Sequence, residues 1–343
     1  MNINNLLRKN IKSLQPYSSA RDEYSGEAVV FLDANENPFN EPYNRYPDPL
    51  QKKLKEKVAR LKNVPPEQIF LGNGSDEPID LLIRAFCEPG KENIVTIDPT
   101  YGMYKVAASV NNVGVKKVSL TDDFQLDAEQ MLNTADENTK LIFLCSPNNP
   151  TGNLLEKEAV IEVVKKFNGI VVLDEAYIDF APGKSLLKKL SNYPNLVILQ
   201  TFSKAWGMAG IRLGMAFADP EIISILNKIK YPYNLNILTQ EKALELTESQ
   251  EKVGKWVKLI IAEREKMAQL LIEFPFVKTV YLSDANFLLV KMHDARGIYD
   301  YLAELGIVVR DRSKIHLCDD SLRITIGNSK ENEQLLKALN DLI

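Results

Sequence analysis

The chain has 343 residues, 45% of them hydrophobic and 26% charged, with 42 Lys and Arg against 46 Asp and Glu for a formal charge of −4. That length suits two domains, or one large and one small, and the composition excludes a disordered chain, a collagen-like repeat and a disulfide scaffold. There is no cationic stripe, no apolar run near the ~18–20 residues that cross a bilayer, and only Leu6-Leu7 as an apolar cluster near the start, so we expect no nucleic-acid partner, no membrane and a cytoplasmic location.

Residues 1–35 are polar with scattered apolar positions and read as an amino-terminal arm that packs with the smaller domain. From about residue 67, short apolar strands alternate with helices. A strand over 68–71 enters the turn Gly72-Asn73-Gly74, and a helix follows over 78–87. Strands over 93–97 and 113–119 flank a helix over 101–109. LIFLC at 141–145 and IVVL at 170–173 are apolar throughout, as strands buried on both faces are. Between them Leu155, Ala159, Val160, Val163, Val164 and Phe167 recur at helical spacing. A further apolar strand is read over 196–200.

The alternation implies crossover connections, hence an α/β fold: a three-layer, mainly parallel sheet covered by helices. After about residue 234 the texture changes to a long helix over 250–274, strands at 277–281, 286–292, 307–309 and 322–326, a helix over 295–305 and a last helix from Lys330. We expect a large domain over 36–234 and a second, smaller α+β domain over 235–343, hinged at Tyr231-Pro232-Tyr233-Asn234.

Ligands of open parallel sheets bind beyond the carboxyl ends of the strands, and four polar clusters fall there. Gly72-Asn73-Gly74-Ser75-Asp76-Glu77-Pro78 can turn tightly and open a helix whose free N–H groups would hold an anion; it reads equally as a plain capped helix. Ser146-Pro147-Asn148-Asn149-Pro150-Thr151-Gly152 is a rigid turn that would fix a side-chain amide. Asp174-Glu175-Ala176-Tyr177 sets a carboxylate at the end of a buried strand, costly unless it is paired with Arg, Lys or a cationic ring nitrogen. Thr201-Phe202-Ser203-Lys204 leads into a glycine-rich segment that ends at Arg212. A lysine at its ordinary pKa of ~10.4 is a poor nucleophile at neutral pH, but burial beside another cation would free its lone pair. Thr201, Ser203 and Arg212 make a second phosphate-holding set. Three scattered cysteines and two histidines offer neither a redox pair nor metal-ligand spacing. A lysine, a carboxylate 30 positions before it, a nearby tyrosine and two phosphate holders fit pyridoxal phosphate.

These clusters, with PYSSAR at 16–21, DANENP at 33–38, RYPDP at 45–49, PTYGMY at 99–104 and LRITIG at 322–327, resemble the fold-type I pyridoxal-phosphate aminotransferases, and among them the histidinol-phosphate aminotransferases. The resemblance implies that Lys204 carries the Schiff base and moves the proton, and that Asp174 contacts the ring nitrogen. It further implies that Tyr177 and Asn149 hold the ring hydroxyl oxygen, that Tyr101 stacks on the ring, and that Ser75, Asp76, Thr201, Ser203 and Arg212 hold the cofactor phosphate. Tyr46 would reach the phosphate of the neighbouring subunit in a homodimer. Arg310 and Arg323, with Tyr17 and Asn35, would hold the anionic groups of both substrates, histidinol phosphate and glutamate or 2-oxoglutarate. The reaction implied belongs to histidine biosynthesis. The alternatives are an aromatic amino acid aminotransferase, a lyase like threonine-phosphate decarboxylase, or a non-catalytic cofactor-binding protein.

Overall fold

A computed structural model describes residues 3–17 and 29–343. Seven strands form the larger sheet, in the spatial order β1 (Ile69–Asn73), β7 (Leu213–Phe217), β6 (Leu196–Thr201), β5 (Ile170–Asp174), β4 (Thr139–Cys145), β2 (Asn93–Asp98) and β3 (Gly114–Ser119). From β6 to β3 every neighbouring pair is parallel, and β7 runs antiparallel to both β1 and β6. Side chains alternate across a strand, so each central strand feeds two cores. Phe143, Val172 and Leu199 pack on one face with α3 (Asp76–Phe86), α4 (Met103–Val110) and α7 (Pro220–Ile229). Ile142, Val171 and Ile198 pack on the other with α2 (Lys52–Lys62) and α6 (Lys157–Lys166). Burial on both faces is the reason these strands carry no polar alternation.

The smaller sheet is antiparallel, in the order β10 (Arg310–Asp311), β11 (Ser321–Thr325), β9 (Phe287–Met292) and β8 (Val277–Val280). Leu288, Val290 and Leu322 close a core of their own with α9 (Gln250–Leu271), α10 (Ala295–Glu304) and α11 (Ser329–Asn340). The other face of β9, through Phe287 and Leu289, joins the core of the larger sheet, so the two sheets are packed together. α11 starts with a reciprocal capping box between Asn328 and Glu331. Among the described residues no helix is long and apolar enough to cross a membrane.

Several elements differ from the sequence reading. The amino-terminal arm was expected on the smaller domain, but residues 3–13 lie against the larger sheet's helices. Ile3 is buried there, Arg8 N–H donates to Ala85 O at 3.1 Å, and Lys228 Nζ donates to Ile11 O at 2.9 Å. The expected strand at 307–309 is displaced to Arg310–Asp311, the residues that pair with Arg323 and Leu322, while Val308 is left 84% exposed. The expected hinge is fastened: Lys230 Nζ donates to Pro49 O and Pro232 O at 2.8 Å each, and Asn234 Nδ2 to Leu71 O at 3.0 Å. The helices α2, α7 and α8 (Ile237–Thr247) and the strand β7 carried no sequence assignment.

β7 approaches the end of β1 so closely that only glycines fit. A Cβ on Gly214 would lie 2.2 Å from Gly74 C and from Ser75 N, and Gly74 itself holds φ +73 with Arg212 Nη2 2.7 Å from where its Cβ would be. Gly214→Ala should therefore cost about 1–3 kcal/mol of stability and open the seam; a urea midpoint equal to wild type would contradict this packing.

Candidate active site

The carboxyl ends of β1, β4, β5 and β6 meet at one edge of the larger sheet, and the antiparallel β7 brings its own start, with Arg212 before it, to the same edge. There a cavity of 80 Å³ lies among Ser75, Tyr101, Asp174, Tyr177, Lys204 and Arg212, which opens to the surface where the side chains of Asp76 and Arg212 are 38% and 49% exposed. Larger hollows of 680 and 500 Å³ lie elsewhere and gather no comparable set of reactive groups.

Asp174 is the last residue of β5 and is 2% exposed. Its Oδ2 accepts from the Tyr104 hydroxyl at 2.6 Å and its Oδ1 from Ala176 N–H at 3.0 Å. Both donors are neutral, and among the described residues no Lys or Arg pairs with it. Burial pushes its carboxyl up to about 6, against the pull of those two hydrogen bonds. Tyr104 is wholly buried and stacks on Phe143 at 4.9 Å. It is held well above its ordinary pKa, first by burial and then by Asp174, and so remains a donor.

Lys204 follows β6, with Nζ 5.3 Å from the centre of the Tyr177 ring. Burial lowers its pKa, the Arg323 charge adds to this, Asp174 opposes it, and Arg212 lowers it further. Compared with an ordinary surface lysine, the shift favours the neutral amine, the form whose lone pair a nucleophile uses. Beside it Asn149 Nδ2 donates to the Tyr177 hydroxyl at 3.3 Å, and Arg323 Nη1 donates to Asn149 Oδ1 at 2.6 Å. The turn that presents Asn149 is braced by buried Asn148, whose Nδ2 donates to Pro99 O at 3.0 Å and to Thr151 Oγ1 at 2.8 Å.

The open end is built for an anion. Ser75 occupies the N-cap of α3 without using its side chain to cap it, contrary to the capping role read from sequence, while Glu77 Oε2 takes the Asn73 N–H at 2.5 Å. Arg212 Nη1 donates to Ser203 Oγ at 3.4 Å, and Thr201 Oγ1 accepts Ser203 N–H at 3.1 Å. The Tyr101 hydroxyl donates to Asp76 Oδ1 at 3.1 Å, which holds its ring at the cavity wall.

Tyr17, Asn35 and Tyr46 do not line this cavity. Tyr17 is 71% exposed, Asn35 is exposed with φ 53, and Tyr46 stacks on Tyr233 at 4.4 Å while remaining 49% exposed. Ser18, Ser19, Ala20 and Arg21 of the PYSSAR motif lie outside the described residues. Arg310 and Arg323 face each other across β10 and β11. Three residues at or near the site were not picked out from sequence: Tyr104, Cys145 and Arg312. A tyrosine on the apolar face of a short helix needs a partner for its hydroxyl, which was a usable signal for Tyr104. Cys145 lines the cavity with a thiol pushed up by burial and by Asp174.

The family model for class I and II aminotransferases matches residues 26–339. A histidinol-phosphate aminotransferase from Parabacteroides distasonis is 60% identical over 340 residues, 99% of each chain. The chain belongs to the histidinol-phosphate aminotransferase family of class I and II aminotransferases. Solved aminotransferases of this kind share the architecture. The histidinol-phosphate aminotransferase from Clostridium acetobutylicum has a TM-score of 0.80 at 28% identity and covers 88% of this chain and 91% of its own. The Sinorhizobium meliloti enzyme, solved in complex with pyridoxal-5'-phosphate, has a TM-score of 0.80 at 25% identity and covers 87% of this chain and 84% of its own.

The raised Asp174 pKa fixes a sign. A carboxyl ordinarily near 3.8 but near 6 in the fold stabilises the fold relative to the unfolded chain below about pH 4, and that contribution is lost as pH rises through about 6. In protein stripped of any ligand, Asp174→Asn should raise stability at pH 8 by about 1–3 kcal/mol and abolish most activity. The stability difference should close toward pH 4, and thermal melts at the two pH values would measure it. A variant no more stable than wild type at pH 8 would mean that Asp174 is already adequately paired.

Proposed function

We propose that the protein transfers an amino group between L-histidinol phosphate and 2-oxoglutarate, giving imidazole-acetol phosphate and L-glutamate in histidine biosynthesis, with pyridoxal phosphate as cofactor. The observation that carries this reading is a buried carboxylate without an ion-pair partner among the described residues, lining one cavity with a lysine of lowered pKa. The donor set fits the cofactor at three points. Asp174 would pair with the ring nitrogen, Lys204 would carry the aldehyde carbon, and Ser75, Ser203 and Arg212 with the start of α3 would take the phosphate.

When bound, pyridoxal phosphate supplies a ring that accepts the electron pair left when the substrate α-carbon loses its proton. Asp174 holds the proton on the ring nitrogen, and Tyr104 holds Asp174 in place for it. Lys204 Nζ would hold the cofactor's aldehyde carbon and, once free, would serve as the base and acid that moves the substrate's α-proton. Tyr177 and Asn149 would hold the ring hydroxyl oxygen, and Tyr101 would cover the ring face. Arg323, with Arg310, holds the phosphate of one substrate and the carboxylate of the other, since a guanidinium fork suits both. Tyr17 and Asn35 would join the anion from the arm.

We assign the assembly as a homodimer. Phe39, Tyr43 and Tyr46 are 75%, 58% and 49% exposed, an aromatic ledge that suits a second copy, with Tyr46 reaching the partner's cofactor phosphate. The boundary between the large and small domains falls at 234/235. Three buried free thiols accord with a reducing, cytoplasmic compartment.

Purified protein should be yellow, and glutamate alone should convert its spectrum to that of the aminated cofactor. Borohydride reduction followed by peptide mass spectrometry should find the cofactor on Lys204. Lys204→Ala should lower turnover by at least about 10³-fold without loss of fold. Release of carbon dioxide without a keto acid would assign a lyase instead.

A further inference from the structure

Arg312 follows β10 and extends its pairing. The register Arg310↔Arg323 and Asp311↔Leu322 continues as Arg312 N–H donates to Ser321 O at 2.8 Å. Alternation along the ribbon places Arg310, Arg312 and Arg323 on one face and Asp311 and Leu322 on the other. Leu322 is sealed in the core of the smaller sheet, and Asp311 is turned toward Arg296 at 3.6 Å. The ribbon's one carboxylate therefore faces away from its three arginines.

Among the described residues none of the three guanidiniums makes an ion pair. The Nε atoms of Arg312 and Arg323 are buried and have no hydrogen-bond partner. Arg323 at least donates to Asn149 at 2.6 Å, whereas the Arg312 side chain has no hydrogen bond at all among the described residues. Burial and the charges of Arg323 and Arg310 lower Arg312 to about 10, and strand alternation sets Arg312 on the face of the ribbon from which Arg323 reaches Asn149. Three clustered cations, two of them with buried unused donors, call for an anion of more than one charge.

We infer that Arg312 is a specificity-determining residue, a third guanidinium of the anion pocket that engages the phosphate of one substrate and not the carboxylate of the other. This rests on the proposed function. A carboxylate has one charge and two oxygens, which Arg323 and Arg310 can satisfy. A phosphate monoester approaches two charges above its second pKa of about 6 and offers three acceptor oxygens, so the third oxygen has a use for Arg312. The residue thus separates two donors that must share one pocket.

The test compares the two half-reactions of the holoenzyme, with histidinol phosphate and with glutamate, for wild type, Arg312→Gln and Arg312→Lys between pH 5.5 and 8. Arg312→Gln should lower kcat/KM for histidinol phosphate about 10- to 100-fold, mainly through KM, and that for glutamate less than about 3-fold. Arg312→Lys should recover part of the loss, and the selectivity should shrink below pH 6 as the ester becomes a monoanion. Inorganic phosphate, as a competitor in the glutamate half-reaction, should bind the Gln variant more weakly than wild type. Equal losses in both half-reactions, or no loss in either, would overturn the assignment, because Arg312 would then serve the cofactor or nothing at the site. A wild-type enzyme that reacts with glutamate but not with histidinol phosphate would overturn the proposed function itself, a result independent of any variant.

Discussion

A carboxylate sealed at the end of an all-apolar strand governs this molecule. Among the described residues Asp174 has two neutral donors and no ion pair, so the fold holds a negative charge, or the proton that quenches it, at its own expense. Everything around it follows from that imbalance. β4 and β6 flank it on either side of β5, Tyr104 reaches it from the covering helix α4, and it lines the cavity that also holds Lys204. A ligand that brings its own positive charge is favoured by the cost the empty fold already bears.

The work is divided between the sheets. The larger one carries Lys204, Asp174 and the cluster of Ser75, Ser203 and Arg212 around one cavity at its strand ends. The smaller one supplies arginines from a two-stranded ribbon. Contact between them is direct. Arg323 of β11 donates to Asn149 of the turn after β4, and Asn149 donates to Tyr177 after β5. An anion that draws on Arg323 would therefore compete for a guanidinium that also orients the Asn149 amide beside Tyr177.

Much of this was legible in the chain because the central strands are buried on both faces and leave no alternation to misread. The polar clusters that end them had few places to go but the shared edge. β7 was hidden for the opposite reason: LGMAF sits inside a glycine-rich segment whose chemistry attracts attention before its strand character does. The arm misled because its apolar residues are few, yet Ile3, Leu6, Leu7 and Ile11 suffice to seat it on the larger sheet. Tyr104 reads as helix core until its hydroxyl is placed, and the lack of a side-chain hydrogen bond at Arg312 among the described residues is a property of three dimensions that no spacing records. The short β10 formed three residues beyond the expected strand, since pairing with β11, not hydrophobicity, decides where it lies.

That pairing also sets what can vary. Because successive side chains alternate, a single residue inserted between Arg310 and Arg312 would put those two arginines on opposite faces of the ribbon, so that both could no longer share the face of Arg323. The connection over 313–320 has no such constraint, since its length does not alter which face of the ribbon an arginine occupies. Drift in sequence length among related chains should accumulate in that connection, while the two-residue strand beside it behaves as a gauge whose divisions cannot move.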